Sequence, residues 1–186
     1  MILVGRWSEN FEIERYVSND SPLILVDEIA PEPGDNNNAV FKRGFERTNQ
    51  ALTERSLEVV ILTQTPDLAF HAPDRLAREK YFEGAVKSDR FDARFFYDRQ
   101  SNVRHFLVEL QQKYAYALVG LHPAICDELD CYVVRGSDVL YSDFTHLTKK
   151  GAQLTVPIVS PIFTKGVGND LPILDATTGK YAAIAE

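Results

Sequence analysis

The chain has 186 residues, 45% of them hydrophobic and 25% charged, enough for a domain with a sizeable core that is expected to fold as one unit. Its 27 acidic and 20 basic residues give a formal charge of −7, and no Lys/Arg stripe alternates with aromatics, which argues against a nucleic-acid partner. No apolar run approaches the roughly 18 to 20 residues of a membrane-spanning helix. The opening MILVGRW has neither the basic region nor the long apolar stretch of a signal peptide, so this chain is expected to carry no address of its own.

Ile2 to Gly5 is predicted to be a buried strand, and it starts with no lead-in, as though upstream sequence were absent. Asn19 to Asn38 carries Pro22, Pro31, Pro33 and Gly34, which predicts a loop with at most a short strand or hairpin at LILV, residues 23–26. Over residues 38–55, Val40, Phe41, Phe45, Thr48 and Leu52 recur at helical spacing. LEVVILTQ, residues 57–64, is a second buried strand, followed by a loop to residue 74 and a helix from about Arg75 to Val86. The aromatics from Phe91 to Tyr97 are assigned to packing under a loop. Val103, Phe106, Leu107 and Leu110 mark a helix over residues 101–114, and YALVGL, residues 116–121, is a third strand. The alternation predicts an α/β fold with a mainly parallel sheet, whose sites are built from loops at the carboxyl ends of the strands. A last helix is predicted from Lys149 to about Phe163, capped by Thr148 and kinked or shortened by Pro157 and Pro161. Residues 164–186 show no period and are taken as a tail or edge element.

One short stretch carries chemistry. Asp143 and His146 sit in a turn just ahead of the last helix, where residues three apart can fold back on each other. A histidine serves as general base when a carboxylate bonded to Nδ1–H fixes its tautomer and stabilises the imidazolium. A capping aspartate with an incidental histidine would leave the same pattern.

Around this pair the sequence runs Cys126, four residues, Cys131, then LYSD (140–143), HLT (146–148) and GA (151–152), preceded by VGLHPAIC. This order resembles the SGNH (GDSL-like) hydrolase superfamily, specifically the extracytoplasmic SGNH domain at the C-terminus of bacterial membrane O-acyltransferases. MILVGRW resembles that family's strand ending in an Arg-Trp pair, and LEVVILTQTPDLAFHAP its later strand and Pro-containing loop. The resemblance covers residues 1–163 and implies a three-layer α/β/α, flavodoxin-like domain lacking its first strand and helix.

It further implies a serine acyltransferase in which His146 takes the serine proton, Asp143 orients His146, and an acyl group, most simply acetyl, passes to a hydroxyl of a cell-surface polysaccharide. The implied partners are an acyl donor, a glycan acceptor and a fused membrane acyltransferase, on the periplasmic side of the inner membrane, with no cofactor. A carbohydrate esterase or deacetylase would use the same triad, and a domain that has lost its serine would be a non-catalytic glycan binder. No Gly-Asp-Ser motif occurs in the sequence: Gly136, Ser137 and Asp138 stand in the wrong order, and Asn19, Asp20 and Ser21 lack the glycine. The chain is therefore expected to be an inactive N-terminally truncated part of its parent, with Ser8 the one serine placed to face the same rim. Gly5, Arg6 and Trp7 stand where the family's oxyanion-hole Gly-x-Asn is expected; Gly5 would allow close backbone approach, and Arg6 and Trp7 would contact the acceptor unless the tryptophan simply packs.

Cys126 and Cys131 are the only cysteines, too few for a zinc site of about four ligands without other donors, so no metal is expected. They are either a disulfide, which suits an oxidising compartment, or two reduced thiols in a loop. His71 lies in the loop after the second strand, at the rim or simply on the surface, and His105 and His122 are taken as structural.

Overall fold

The computed structural model describes residues 1–12 and 25–164. The expected tail, residues 164–186, lies outside the described residues except for Thr164, which ends the last helix, and part of the predicted LILV strand lies outside them too. In chain order the elements are β1 (Ile2–Val4), α1 (Trp7–Glu12), α2 (Asn37–Glu54), β2 (Val60–Leu62), α3 (Ala72–Arg78), β3 (Arg90–Asp92), α4 (Ala93–Tyr114), β4 (Ala117–Val119), β5 (Asp130–Tyr132), β6 (Val134–Arg135), β7 (Asp138–Val139) and α5 (Lys149–Thr164). Among the described residues they form two compact units, one of Met1–Gln64 with Gln100–Gly120, the other of Thr65–Arg99 with residues 121–164.

The first unit is built on the three aliphatic runs. β1, β2 and β4 form a parallel sheet with β2 in the centre, Leu3 opposite Ile61 and Ile61 opposite Leu118. The expected mixed α/β fold with a parallel sheet is thus present. α2 begins where the Asn36 side chain accepts the Ala39 N–H, and it ends at Glu54, two residues before Ser56 with its left-handed φ of 53°. Both crossovers run in the same direction across the sheet, which puts α2 and α4 on one face. There Phe45, Val103, Phe106, Leu107 and Leu110 pack with Phe11 against Ile61 and Leu118. The alternate residues Val60, Leu62 and Val119 are buried as well, so β2 and β4 carry apolar side chains on both faces, and the runs are uninterrupted for that reason. A buried Asp27 carboxylate receives Arg43 Nε and both terminal nitrogens of Arg47, which fastens the preceding loop to α2.

The second unit is smaller in its strands and richer in turns. β3 pairs antiparallel with β5, setting Phe91 opposite Cys131, and β6 and β7 form a hairpin around Gly136, whose φ is +65°. Cys126 and Cys131 are joined in a disulfide, packed against Ala93 and Phe96. α3 starts earlier than the sequence predicts, at Ala72, because Pro73 favours a first turn; it passes at Arg78 into a π-helical turn, Glu79–Glu83, closed by Gly84 with a left-handed φ of 74°. The buried Glu79 carboxylate accepts the Ser88 hydroxyl at 2.6 Å, the Lys87 and Ser88 N–H groups at 2.8 and 2.9 Å, and Arg75 Nε at 2.7 Å. The Ser88 hydroxyl bond outweighs the effect of burial and, with the other donors, holds this carboxyl at about 2. The π-helical turn leaves Tyr81 and Phe82 83% and 75% exposed, edge to face at 4.8 Å.

One element differs in kind from its sequence expectation. Residues 93–97 belong to α4 and do not underlie a loop; only Phe91 lies outside the helix, in β3. Asp92 Oδ1 accepts the Arg94 N–H at 2.8 Å and starts the helix there, while the RFFY run has no helical period to announce it. α5 runs through Pro157 and Pro161 to Thr164, and its start is the predicted one, with Thr148 Oγ1 accepting the Gly151 N–H at 3.1 Å.

Candidate active site

The turn carrying Asp143 and His146 is a short hairpin in the second unit. Tyr141 bridges Leu147 across it, the Ser142 N–H donates to the His146 carbonyl at 2.8 Å, and the Thr148 N–H donates to the Leu140 carbonyl at 2.8 Å. Gly151, in the first turn of α5, lies so close to this hairpin that a Cβ there would sit 2.2 Å from the Leu140 carbonyl oxygen.

Inside the turn the two carboxylate oxygens of Asp143 have separate tasks. Oδ1 accepts the Thr145 and His146 main-chain N–H groups at 2.6 and 2.7 Å, an arrangement that short polar side chains favour in turns. Oδ2 lies 2.7 Å from His146 Nδ1. An ionised carboxylate can only accept, so Nδ1 is the donor, and in the neutral ring Nε2 is the nitrogen that keeps a lone pair. The imidazole is 73% exposed and the carboxylate 28%, so the ring faces outward while its anchor is partly covered. Partial burial pushes the Asp143 carboxyl up, but the His146 and Thr145 amides and the His146 ring outweigh it and hold the group at about 2. At neutral pH Asp143 is therefore an anion held against the His146 ring.

The loop after β2, residues 65–72, is stitched to the turn. The Leu68 N–H donates to the Phe144 carbonyl at 2.8 Å, and the Ala72 N–H approaches the Asp143 carbonyl at 3.4 Å. His71, at the end of this loop, puts its ring against Phe144 with centroids 6.3 Å apart and its Nδ1 3.1 Å from Asp74 Oδ2. Neither Phe144 nor Leu68 is singled out by sequence, because both contribute backbone groups; the signal that existed was the position of the loop at the carboxyl end of a parallel strand.

Gly5, Arg6 and Trp7 belong to the first unit and are described there by themselves. The Trp7 Nε1–H donates to the Leu62 carbonyl at 2.7 Å, and its ring meets Phe45 edge to face at 5.5 Å, so the tryptophan packs in the aromatic core. Gly5 permits a close approach, but of that same indole, which a Cβ would meet at 2.9 Å. Ser8, the serine expected to face a rim, is instead 0% exposed. Its hydroxyl donates to Gln64 Oε1 and accepts from Gln100 Nε2, both at 3.1 Å, so the polar neighbours that draw it inward also seal it. His122 is buried against Phe96 and Tyr97, and His105 Nδ1–H donates to the Ser101 carbonyl at 2.8 Å.

The family model described as SGNH domain (fused to AT3 domains) matches residues 1–161. The chain belongs to this SGNH family. It is thereby of the general kind of SGNH domains that accompany acyltransferases, as the Cys126 to Ala152 order implied. No curated protein matches it. Among solved structures, the SGNH chain is similar to one described as the periplasmic domain of a lipopolysaccharide acetyltransferase from Salmonella ser. Paratyphi A, at 13% identity and a TM-score of 0.47. That similarity covers 68% of this chain and 47% of the other, so the chain matches just under half the length of that domain.

Proposed function

We propose that this SGNH domain supplies the acid and base members of a serine acyltransferase site, with His146 as general base and Asp143 as the carboxylate that orients it. The observation that carries the reading is the 2.7 Å contact from His146 Nδ1 to Asp143 Oδ2, in a ring that is 73% exposed. A serine attacks the acyl carbonyl of the donor while Nε2 takes its proton; the imidazolium is stabilised by Asp143 and returns the proton to the leaving group. A sugar hydroxyl then gives its proton to Nε2 and attacks the acyl-enzyme, and the imidazolium returns that proton to the departing serine oxygen. The sequence holds no Gly-Asp-Ser motif, and Ser8 is sealed, so the 186 residues alone are proposed to be inactive toward acyl esters. The acyl group is proposed to be acetyl, the acceptor a cell-surface glycan, and the setting the outer side of the cytoplasmic membrane beside an AT3 domain. The disulfide supports an oxidising compartment.

The test is made in the full AT3-linked protein. With His146→Ala, acetate on the polysaccharide, counted by NMR of the isolated glycan, is expected to vanish, and with Asp143→Asn to fall at least a hundredfold. Acetylation that survives His146→Ala would end the assignment.

A further inference from the structure

We propose that the buried ion pair between Asp67 and Arg99 positions the Asp143–His146 turn, acting through the backbone of the loop at residues 65–72. The proposal rests on the acid and base roles given above to that turn. Asp67 opens the stitched part of the loop, and its Oδ2 lies 3.7 Å from Arg99 Nε, with the two side chains only 5% and 7% exposed. Such a pair is a poor device for stability. Withdrawing both charges from water costs several kcal/mol, and well-packed apolar substitutes are often no worse. What the pair does well is fix where its two backbones lie.

The backbone it fixes leads straight to the site. The next residue, Leu68, gives its N–H to the Phe144 carbonyl at 2.8 Å and packs its side chain with Leu140 and Tyr141. Four residues further on, the Ala72 N–H approaches the Asp143 carbonyl. The loop therefore grips the two residues on which the dyad's geometry turns. The charge of Asp67 also reaches the other strand of the hairpin. Burial first, and then the negative charge of Asp67, push the Tyr141 hydroxyl well above the ordinary tyrosine range, and that hydroxyl has no hydrogen-bond partner among the described residues. The charge of Asp67 is thus felt at Tyr141, two residues before Asp143, while its chain neighbour Leu68 bonds the carbonyl of Phe144, one after. It makes no contact with His146 that would give it a proton-transfer role, and it is a positioning residue.

The 186-residue chain, ¹⁵N-labelled, provides the test. In Asp67→Asn and in Arg99→Gln, amide hydrogen exchange at Leu68, Thr145 and His146 is expected to accelerate at least tenfold. The His146 ring nitrogens should shift from one protonated Nδ1 tautomer toward a mixture. Amides of Ile61 and Leu118 in the parallel sheet should keep their wild-type rates, and Arg99→Lys should restore most of the protection. The double variant Asp67→Asn/Arg99→Gln leaves no lone buried charge and serves the same measurement if a single variant does not fold. Unchanged exchange at the three turn amides, or equal acceleration at Ile61 and Leu118, would overturn the proposal. Because no acyl transfer is measured, such a result would leave the roles of His146 and Asp143 standing, and loss of those roles would leave this result untouched.

Discussion

His146 Nδ1 and Asp143 Oδ2 are 2.7 Å apart, while Oδ1 of the same carboxylate holds the main chain of the very residue whose ring it orients. One anion therefore sets both where His146 sits and which way it points. With its folded value at about 2, below the roughly 3.9 of an unfolded aspartate, this group stabilises the native state fully above about pH 4. That stability is lost as pH falls toward 2. Asp143→Asn is expected to lower stability by about 1 kcal/mol at pH 7, and the gap from wild type should close between pH 4 and pH 2 in urea unfolding series. A gap that is constant over that range would show that the charge contributes nothing.

Gly151→Ala should invert the usual helix rule. Alanine in a helix is ordinarily better than glycine by about 1 kcal/mol. Here its Cβ would press into the Leu140 carbonyl oxygen, a backbone atom that cannot rotate away. A loss of about 3 kcal/mol, seen as a lower Tm, is expected, with α5 moving off the hairpin.

Ser8→Ala distinguishes a sealed hydroxyl from a nucleophile. It removes one donor to Gln64 and one acceptor from Gln100 in a fully buried setting, which should cost about 1 to 3 kcal/mol. Acyl transfer by the full protein at a temperature where the variant is folded should be unchanged. Abolished transfer with intact folding would make Ser8 a reacting group.

Tyr141→Phe deletes a buried hydroxyl that has no hydrogen-bond partner among the described residues. Where a bonded tyrosine hydroxyl contributes about 1 kcal/mol, this change should be neutral or stabilising. Urea midpoints of the two proteins decide it.

The parts of this molecule visible in its sequence are those whose causes are local. The three aliphatic runs announce β1, β2 and β4 because strands buried on both faces need no polar alternation. The dyad is visible because its two members share one turn, and the cap of α5 because Thr148 stands beside the glycine it bonds. What stayed hidden depends on partners far away in the chain. Ser8 looked like a rim hydroxyl until Gln64 and Gln100 closed over it, and Trp7 looked equally suited to a ligand until its N–H met Leu62. Asp67 and Arg99 are 32 positions apart, and nothing near Arg99 marks it as the inward-facing cation of its helix. The early start of α4 was missed for another reason, since four consecutive bulky residues hide the helical period.

Glu79 gathers four donors at the start of the π-helical turn that displays two aromatic rings. Those rings are preferred cleavage points for a chymotrypsin-like protease, yet a helical turn held this tightly resists the extended shape such an enzyme must grip. The bond after Tyr81 or Phe82 should accordingly survive digestion in the native chain and become the first one cut when Glu79 is replaced by alanine, so that a single buried carboxylate acts as the lock on the segment most offered to proteolysis.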